Sequence, residues 1–317
     1  MTATIKELAN EAGVSIATVS RFLNQNGYVG PNSASKIQSA IDKLGYKHKD
    51  PILTTKMKVI EVNFPNIDNP FYAELFQNLS TYLKEKDYDC ILHLDHFHIE
   101  NFDYFLKRFQ EKKICGLITS SLLNISKKDL QPNLPIVSFD RKISPSIPTI
   151  QSNNYDAGMQ IAQFILRMGK NKIAIIAGAK EDYYPINDRI KGMIKVFNTY
   201  HKEVDLTSLN ASDSIIAKKI TIQQILKHTQ YEAICCTDDI TALLAKQCTD
   251  DLGLTPVITG FDGTILIQNL FPHLITAQQH IKELAELMSD LLLHQINQPH
   301  EKLESVYTLP VSLINQI

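Results

Sequence analysis

Three times within the first fifty positions, apolar residues recur at helical spacing: Ile5, Leu8, Ala9 and Ala12; Val19, Phe22 and Leu23; Ile37, Ala40, Ile41 and Leu44. Thr4 followed by Glu7 is a capping-box signature that starts the first helix, and Gly13 stops it. Ser15 can cap the second helix, and Gly45 ends the third. With a tight Gly-Val turn between the first two, this is a helix-turn-helix arrangement. From residue 58 the pattern changes to short apolar runs that alternate with longer amphipathic ones. Strands are predicted at 59–64, 90–94, 114–118, 136–139, 172–177, 232–236 and 256–261, and helices at 71–84, 101–110, 157–168, 187–197 and 215–227. That alternation predicts an α/β core of parallel, doubly wound sheets covered on both faces. Two lobes of about 120 residues each are easier to build than one sheet of that size.

In a helix-turn-helix the second helix enters the major groove, and here its outward residues are Ile16, Ala17 and Arg21. Arg21 can fork onto a guanine or grip a phosphate. Ser15, Thr18, Ser20, Asn24 and Tyr28 are donors placed to contact phosphates. A plain three-helix bundle with a solvated Arg21 fits the same pattern. Charge favours the first reading: residues 1 to 58 carry eight Lys/Arg against four acids, a net +4 within a chain of net −2, so the remainder stands at −6.

Ligands of doubly wound folds bind outside the carboxyl ends of the strands. The polar and aromatic residues just past predicted strand ends are Asp68, Phe71 and Tyr72, then Asp140 with Arg141, then Asp238 with Asp239, then Asp262. Arg189 begins a helix after the 184–187 loop. Carboxylates accept hydroxyl hydrogen bonds, a guanidinium donates them, and aromatic rings cover the apolar face of a sugar. This mixture suits a neutral polyol better than an anion. Taken singly, an Asp after a strand is more often a helix cap than a ligand contact, and the recurrence at several strand ends is what favours the functional reading.

Composition narrows the alternatives. A hydrophobic fraction of 44% with 21% charged residues is ordinary for a soluble globular protein. No apolar run approaches the length of a membrane span, and the polar N-terminus has no export-signal core, so a cytoplasmic, membrane-free protein is expected. The five cysteines have neither disulfide-framework nor metal-ligand spacing, and Cys90, Cys115, Cys235 and Cys236 fall in apolar, strand-like runs that suit buried thiols. There is no Walker or G-x-G-x-x-G loop, nucleophile elbow or metal motif, so no enzyme, cofactor or metal is expected.

The run TIKELANEAGVSIATVSRFLNQNGYV, followed by KIQSAIDKLGY, closely resembles the DNA-binding head of the lactose/galactose repressor (LacI/GalR) family. NIDNPFYAEL, PIVSFDR, SNNYDAG, NDRIKGM, CTDDITA and ITGFDG resemble the successive segments of that family's sugar site, in order. PINDRIKGM and GFDGTILIQNLFPHL are most similar to sucrose- and ribose-operon repressors of Gram-positive bacteria. The resemblance implies a helix-turn-helix head over 1–46, a linker over 47–57 and a periplasmic-binding-protein-like core over 58–317. Lobe one is expected at about 58–153 plus 282–317 and lobe two at about 154–281. It also implies a homodimer on double-stranded operator DNA, released by a small sugar or sugar-phosphate effector. Ile16, Ala17 and Arg21 fall on the family's base-reading positions. Phe71, Tyr72, Asp140, Arg141, Arg189, Asp238 and Asp262 fall on its effector-contact positions, Asp238 standing where many members have Asn.

The pattern departs from the family after Tyr46, where KHKDPILTTKMK replaces the usual hinge helix and is about three residues shorter. Leu53 is the only leucine there to wedge into the minor groove; a simple linker is the alternative. The 71–84 helix, with Leu75, Leu79, Tyr82 and Leu83, serves either core or dimer interface, and the 280–294 helix lacks a tetramer-forming extension. Remaining alternatives are a catabolite regulator with a protein co-repressor, a sensor with impaired operator binding, and a sugar receptor sharing only the core fold.

Overall fold

The structure is a computed structural model that describes residues 4–24, 28–46, 58–95, 100–121, 123–124, 134–178, 186–210 and 212–315. The chain divides at residue 58 into two compact units. The first contains α1 (Ile5–Ala12), α2 (Ile16–Asn24) and α3 (Pro31–Leu44). The capping box forms as predicted: the Glu7 amide donates to Thr4 Oγ1 (3.3 Å) and the Thr4 amide to Glu7 Oε2 (2.7 Å). Gly13 and Gly45 end α1 and α3 with φ of 63° and 57°, a region glycine enters without Cβ strain. Leu8, Ala9, Ala12, Val19, Ile37 and Ala40 close a small core, flanked by half-buried Phe22, Leu23, Ile41 and Leu44. The linker 47–57, including Leu53, lies outside the described residues.

The second unit is built in chain order from β1 (Val59–Phe64), α4 (Pro70–Glu85), β2 (Asp89–Leu94), β3 (Glu100–Asn101), α5 (Phe102–Gln110), β4 (Gly116–Thr119), β5 (Leu123–Asn124), β6 (Ile136–Phe139) and β7 (Thr149–Ser152). The chain then passes to α6 (Asn154–Arg167), β8 (Lys172–Ala177), α7 (Ile186–Thr199), β9 (Glu203–Ser208), α8 (Ile215–His228), β10 (Ala233–Cys236), α9 (Asp239–Asp251), β11 (Val257–Asp262), α10 (Ile265–Leu270) and β12 (Ile275–Gln279). It returns through α11 (Ile281–Asn297) and β13 (Val306–Leu309), and ends in β14 (Val311–Ile314). Two six-stranded sheets result, ordered β13-β7-β6-β4-β1-β2 and β14-β12-β11-β10-β8-β9. Every pairing in them is parallel except β12 with β14. In each sheet the strand order reverses beside its first strand, so crevices open between β1 and β4 and between β8 and β10.

Each sheet is packed on both faces. In lobe one, Leu75, Leu79 and Leu83 of α4 meet Leu284, Met288 and Leu292 of α11 over Ile60, Val62 and Ile118. Those α4 leucines are fully buried within the lobe, so they belong to the core rather than to an interface. Tyr82 instead donates its hydroxyl to Asp290 Oδ1 (2.8 Å) at the surface. Phe102 and Phe105 of α5 cover the opposite face. In lobe two, α6 and α7 cover one face, while Leu226 of α8 and Leu244 of α9 cover the other.

Lobe one does not keep all of residues 282–317. β14 pairs antiparallel with β12 (Thr276 against Ile314), so the chain crosses back to lobe two after Leu309. The cause is apolar: Val311 is buried in the lobe-two core and Leu313 packs against it. The strands β7, β9, β12, β13 and β14 had no clear hydrophobic run to mark them. β9 and β13, for example, are mostly exposed or half-exposed edge strands. Cys235, Cys236 and Cys248 are buried free thiols, and burial pushes Cys235 up to about 12. Among the described residues, no helix is long and apolar enough to cross a membrane.

α6 and α7 cross at two glycines. A Cβ on Gly192 would fall 2.1 Å from the Tyr155 carbonyl oxygen, and one on Gly158 would fall 2.1 Å from that of Arg189. Replacing Gly192 by Ala therefore forces the helices apart. A loss of about 1–3 kcal/mol of stability is expected, as for other overpacked cores, and urea denaturation of the full chain measures it.

Candidate functional site

On α2 the buried Val19 faces the head's core, leaving Ile16 (48% exposed), Ala17 and Arg21 outward. Ser15 Oγ accepts from the Thr18 amide (3.1 Å) and lies 2.8 Å from Thr18 Oγ1, so both hydroxyls take part in starting the helix. Ser20 is half-buried and Tyr28 stands 88% exposed. Asn24 is the last residue of α2.

The second candidate site is a polar cluster at the carboxyl ends of the core strands, and Arg189 is its centre. Only 6% exposed, its Nε donates to Asn154 Oδ1 (2.8 Å), while Nη1 donates to the Thr237 carbonyl (2.6 Å) and to Asp262 Oδ1 (3.5 Å). Its guanidinium also lies 3.5 Å from the centroid of the Phe261 ring. Asn154 Nδ2 in turn donates to Asp140 Oδ1 (3.5 Å) and to the Ser152 carbonyl (3.0 Å). Asp262 accepts from Gln279 Nε2 (2.8 Å), and Gln279 Oε1 accepts from Ser152 Oγ (2.6 Å). Asp140, Arg189 and Asp262 are thus tied together, along with two of the chain's crossings between lobes. Arg141 is buried beside them, and its charge partly offsets the rise that burial imposes on Asp140.

Asp140 and Asp262 hold φ of 57° and 107°, a backbone region that costs a non-glycine residue about 1–3 kcal/mol. Strain of this kind persists where surrounding structure imposes it, and here both residues end strands that face the crevice. Burial pushes the Asp262 carboxyl up to about 7, outweighing the opposing pull of Arg189. It pushes Asp140 up to about 6 against the same cation.

Asp238 caps α9, accepting from the Thr241 amide (2.7 Å) and hydroxyl (2.8 Å). Its neighbour Asp239 is buried, accepts from the Gly263 amide (2.8 Å) and from Thr276 Oγ1 (2.6 Å), and braces the corner after Asp262 from behind. Phe71 is buried in the lobe-one core, stacked on Phe139 with centroids 5.5 Å apart. Tyr72 is half-buried and lies 5.2 Å from Phe64. Asp68 is exposed.

Sequence reasoning did not single out Asn63, Ser120, Ser121, Asn154, Thr237 or Gln279 for the crevice. Asn63 Oδ1 and the hydroxyls of Ser120 and Ser121 are buried, without a hydrogen-bond partner among the described residues, at the switch point between β1 and β4. Such groups are acceptors and donors left for a hydroxylated ligand or water. Asn154 carried a signal, since it lies in SNNYDAG directly after a strand end. The others are small polar residues with no distinctive spacing. Among the described residues, no cluster of His, Cys, Asp and Glu could hold a metal ion.

A native state that binds more protons than the unfolded chain loses stability as pH rises. Asp140 and Asp262, raised above the usual carboxylate value, act in that direction from about pH 4 to about pH 7. Asp262→Asn is expected to flatten this fall, as read from denaturant midpoints across pH 4–8; an unchanged slope would contradict the assignment.

Comparison with known proteins places both units. Residues 4–48 match the family described as bacterial regulatory proteins, lacI family, and residues 60–270 match the periplasmic binding protein domain. A sucrose operon repressor of Lactococcus lactis subsp. lactis is 31% identical over 314 residues, covering 98% of both chains. A ribose operon repressor of Halalkalibacterium halodurans is 30% identical, covering 98% of this chain and 95% of its own. Among solved structures, a periplasmic binding protein/LacI transcriptional regulator of Alkaliphilus metalliredigens complexed with D-xylulofuranose superposes with a TM-score of 0.70 at 27% identity. That match covers 81% of this chain and 97% of the other. The lac repressor bound to ONPG shares the fold over the full length of both chains, with a TM-score of 0.69 at 19% identity. With one family spanning the head and the other two thirds of the chain, this protein belongs to the lacI family of bacterial regulatory proteins, a helix-turn-helix head joined to a periplasmic-binding-protein-like core.

Proposed function

We propose that this protein is a transcriptional repressor of a carbohydrate-utilisation operon, binding operator DNA as a homodimer in the cytoplasm and releasing it when a small sugar enters the core. The observation that carries this reading is the pairing, in one chain, of an outward-facing recognition helix with a crevice built for polyols. Ile16, Ala17 and Arg21 are presented for base edges, with Ser15, Thr18, Ser20, Asn24 and Tyr28 around them for phosphates. Asp140, Arg189 and Asp262 offer paired acceptors and donors at the strand ends, Asp238 and Arg141 stand beside them, and half-buried Tyr72 packs edge-on against the buried Phe71 of lobe one. Sucrose- and ribose-operon repressors among the relatives support a sugar of the sucrose, fructose or ribose type. The protein acts by binding rather than by catalysis. An effector shifts DNA affinity only by the difference in its affinity for two states of the protein, so tens-fold derepression needs roughly 2 kcal/mol.

The test is a binding titration of the full chain against DNA from upstream of its own gene. It is repeated with sucrose, D-fructose, D-ribose and their phosphates. Specific binding with a steep salt dependence, weakened by one sugar, is expected. Arg21→Ala should cost about tenfold or more in specific affinity, as for loss of a bidentate base contact. Sugar binding without sequence-specific DNA binding overturns the repressor reading and leaves a sensor alone.

A further inference from the structure

Both α6 and α7 start at the crevice and run to the far end of lobe two. Near that start their backbones touch, Gly158 against Arg189 and Gly192 against Tyr155. Beyond the crossing a groove of about 510 Å³ lies between the two helices. Met159 and Leu166, half-buried, and Val196, buried, give it an apolar floor. Arg167 and Lys195 line it from opposite helices, and both are exposed. The ring of Tyr200, 62% exposed, stands just past the end of α7. Among the described residues no acid lines the groove, although the core as a whole is acidic. A helix dipole favours a cation in the last turn, which accounts for Arg167. It does not account for Lys195, which precedes the last turn of α7.

Two cations from different helices above an apolar floor suit a small anion with a flat body. The volume falls in the range of small-molecule sites, whereas a protein partner needs a much larger surface. A phosphate monoester carries a charge of about −1.5 to −2 at neutral pH, so it matches both cations where a carboxylate matches one. The flexible thioether of Met159 adapts to a ring, and Tyr200 offers a face on which one can stack. Thr199 Oγ1 also lines the groove and donates to the Lys195 carbonyl (2.8 Å). Its lone pairs remain to accept from an amino group or a ribose hydroxyl.

We propose that the groove between α6 and α7 binds a nucleoside monophosphate, with the phosphate between Arg167 and Lys195 and the base on Met159, Leu166 and Val196. Asn154 and Arg167 bound α6, so at about 1.5 Å per residue the groove's cation stands roughly 20 Å from the crevice end of the helix. The site is separate from the crevice and does not rest on the sugar-effector reading.

Calorimetric titration of the full chain with AMP, adenosine and inorganic phosphate tests it. AMP should bind about tenfold tighter than adenosine, which lacks the charge, and tighter by a similar factor than phosphate, which lacks the base. Lys195→Gln should weaken AMP about three- to fivefold, the scale of an exposed charge pair. Arg167→Glu combined with Lys195→Glu should weaken it more than tenfold, with the melting temperature of the unliganded chain nearly unchanged because both side chains are exposed. Hydrogen exchange should slow with AMP over residues 163–168 and 195–200, and stay as it was over 16–24 and 260–264. Absence of AMP binding overturns the proposal, as does an affinity unchanged in both Lys195→Gln and the double variant. Protection confined to the head or to the crevice segment overturns the location. Adenosine binding as tightly as AMP overturns the role of the cations, and phosphate binding as tightly overturns that of the apolar floor.

Discussion

A guanidinium without water around it must find its partners within the protein, and Arg189 finds them on three different segments: Asn154, the Thr237 carbonyl, and β11 with Asp262 and the face of Phe261. Removing one member of such a buried charged set typically costs about 3–5 kcal/mol, because the remainder is left uncompensated. Arg189 is therefore a structural member of lobe two. Its position is fixed by the glycine crossing of α6 on α7, where the carbonyl of Arg189 itself takes the space that a side chain at position 158 would occupy. Close helix packing, a buried cation and two strained aspartates form one connected assembly.

The acids around it have separate duties. Asp239 points away from the crevice and ties the corner after β11 to β12 through Gly263 and Thr276. Asp238, beside it in sequence, caps α9 and leaves no room for a side chain at Gly178, where a Cβ would fall 1.9 Å from its Oδ2. Asp140 and Asp262 end strands of different sheets and share Arg189, Asp140 through Asn154 and Asp262 directly. Both carboxylates are thus held in set orientations, and preorganised groups of this kind lower the cost of ordering a site on binding.

Crossings between lobes run through this same assembly. Ser152 at the end of β7 and Gln279 at the end of β12 are hydrogen-bonded to each other, and Gln279 holds Asp262. An event at Asp262 is thus one hydrogen bond from the second of these connections and two from the first. That is the kind of contiguous physical link through which a small ligand can bias a two-state arrangement, provided it binds one state better than the other.

The head was legible in the sequence because its signals are local. A capping box, two glycine stops and helical spacing of apolar residues act within a few positions, and Thr4, Glu7, Gly13 and Gly45 took the expected places. In the core, buried parallel strands announced themselves as apolar runs, and β1, β6 and β8 matched their predicted limits. The sequence also pointed to acids and arginines at strand ends. Tertiary structure alone decided which of them meet. Asp238 turned to its own helix, Asp239 to the interior, and Phe71 to a stack on Phe139. Gln279, which joins the functional cluster to a crossing between the lobes, had no spacing that marked it out. The final strand crossed to lobe two because Val311 found its apolar neighbours there. Caps and periodicity are short-range properties of a chain. The partner of a buried charge, and the lobe that claims a terminal strand, depend on residues far along the chain, brought near only when both sheets have formed.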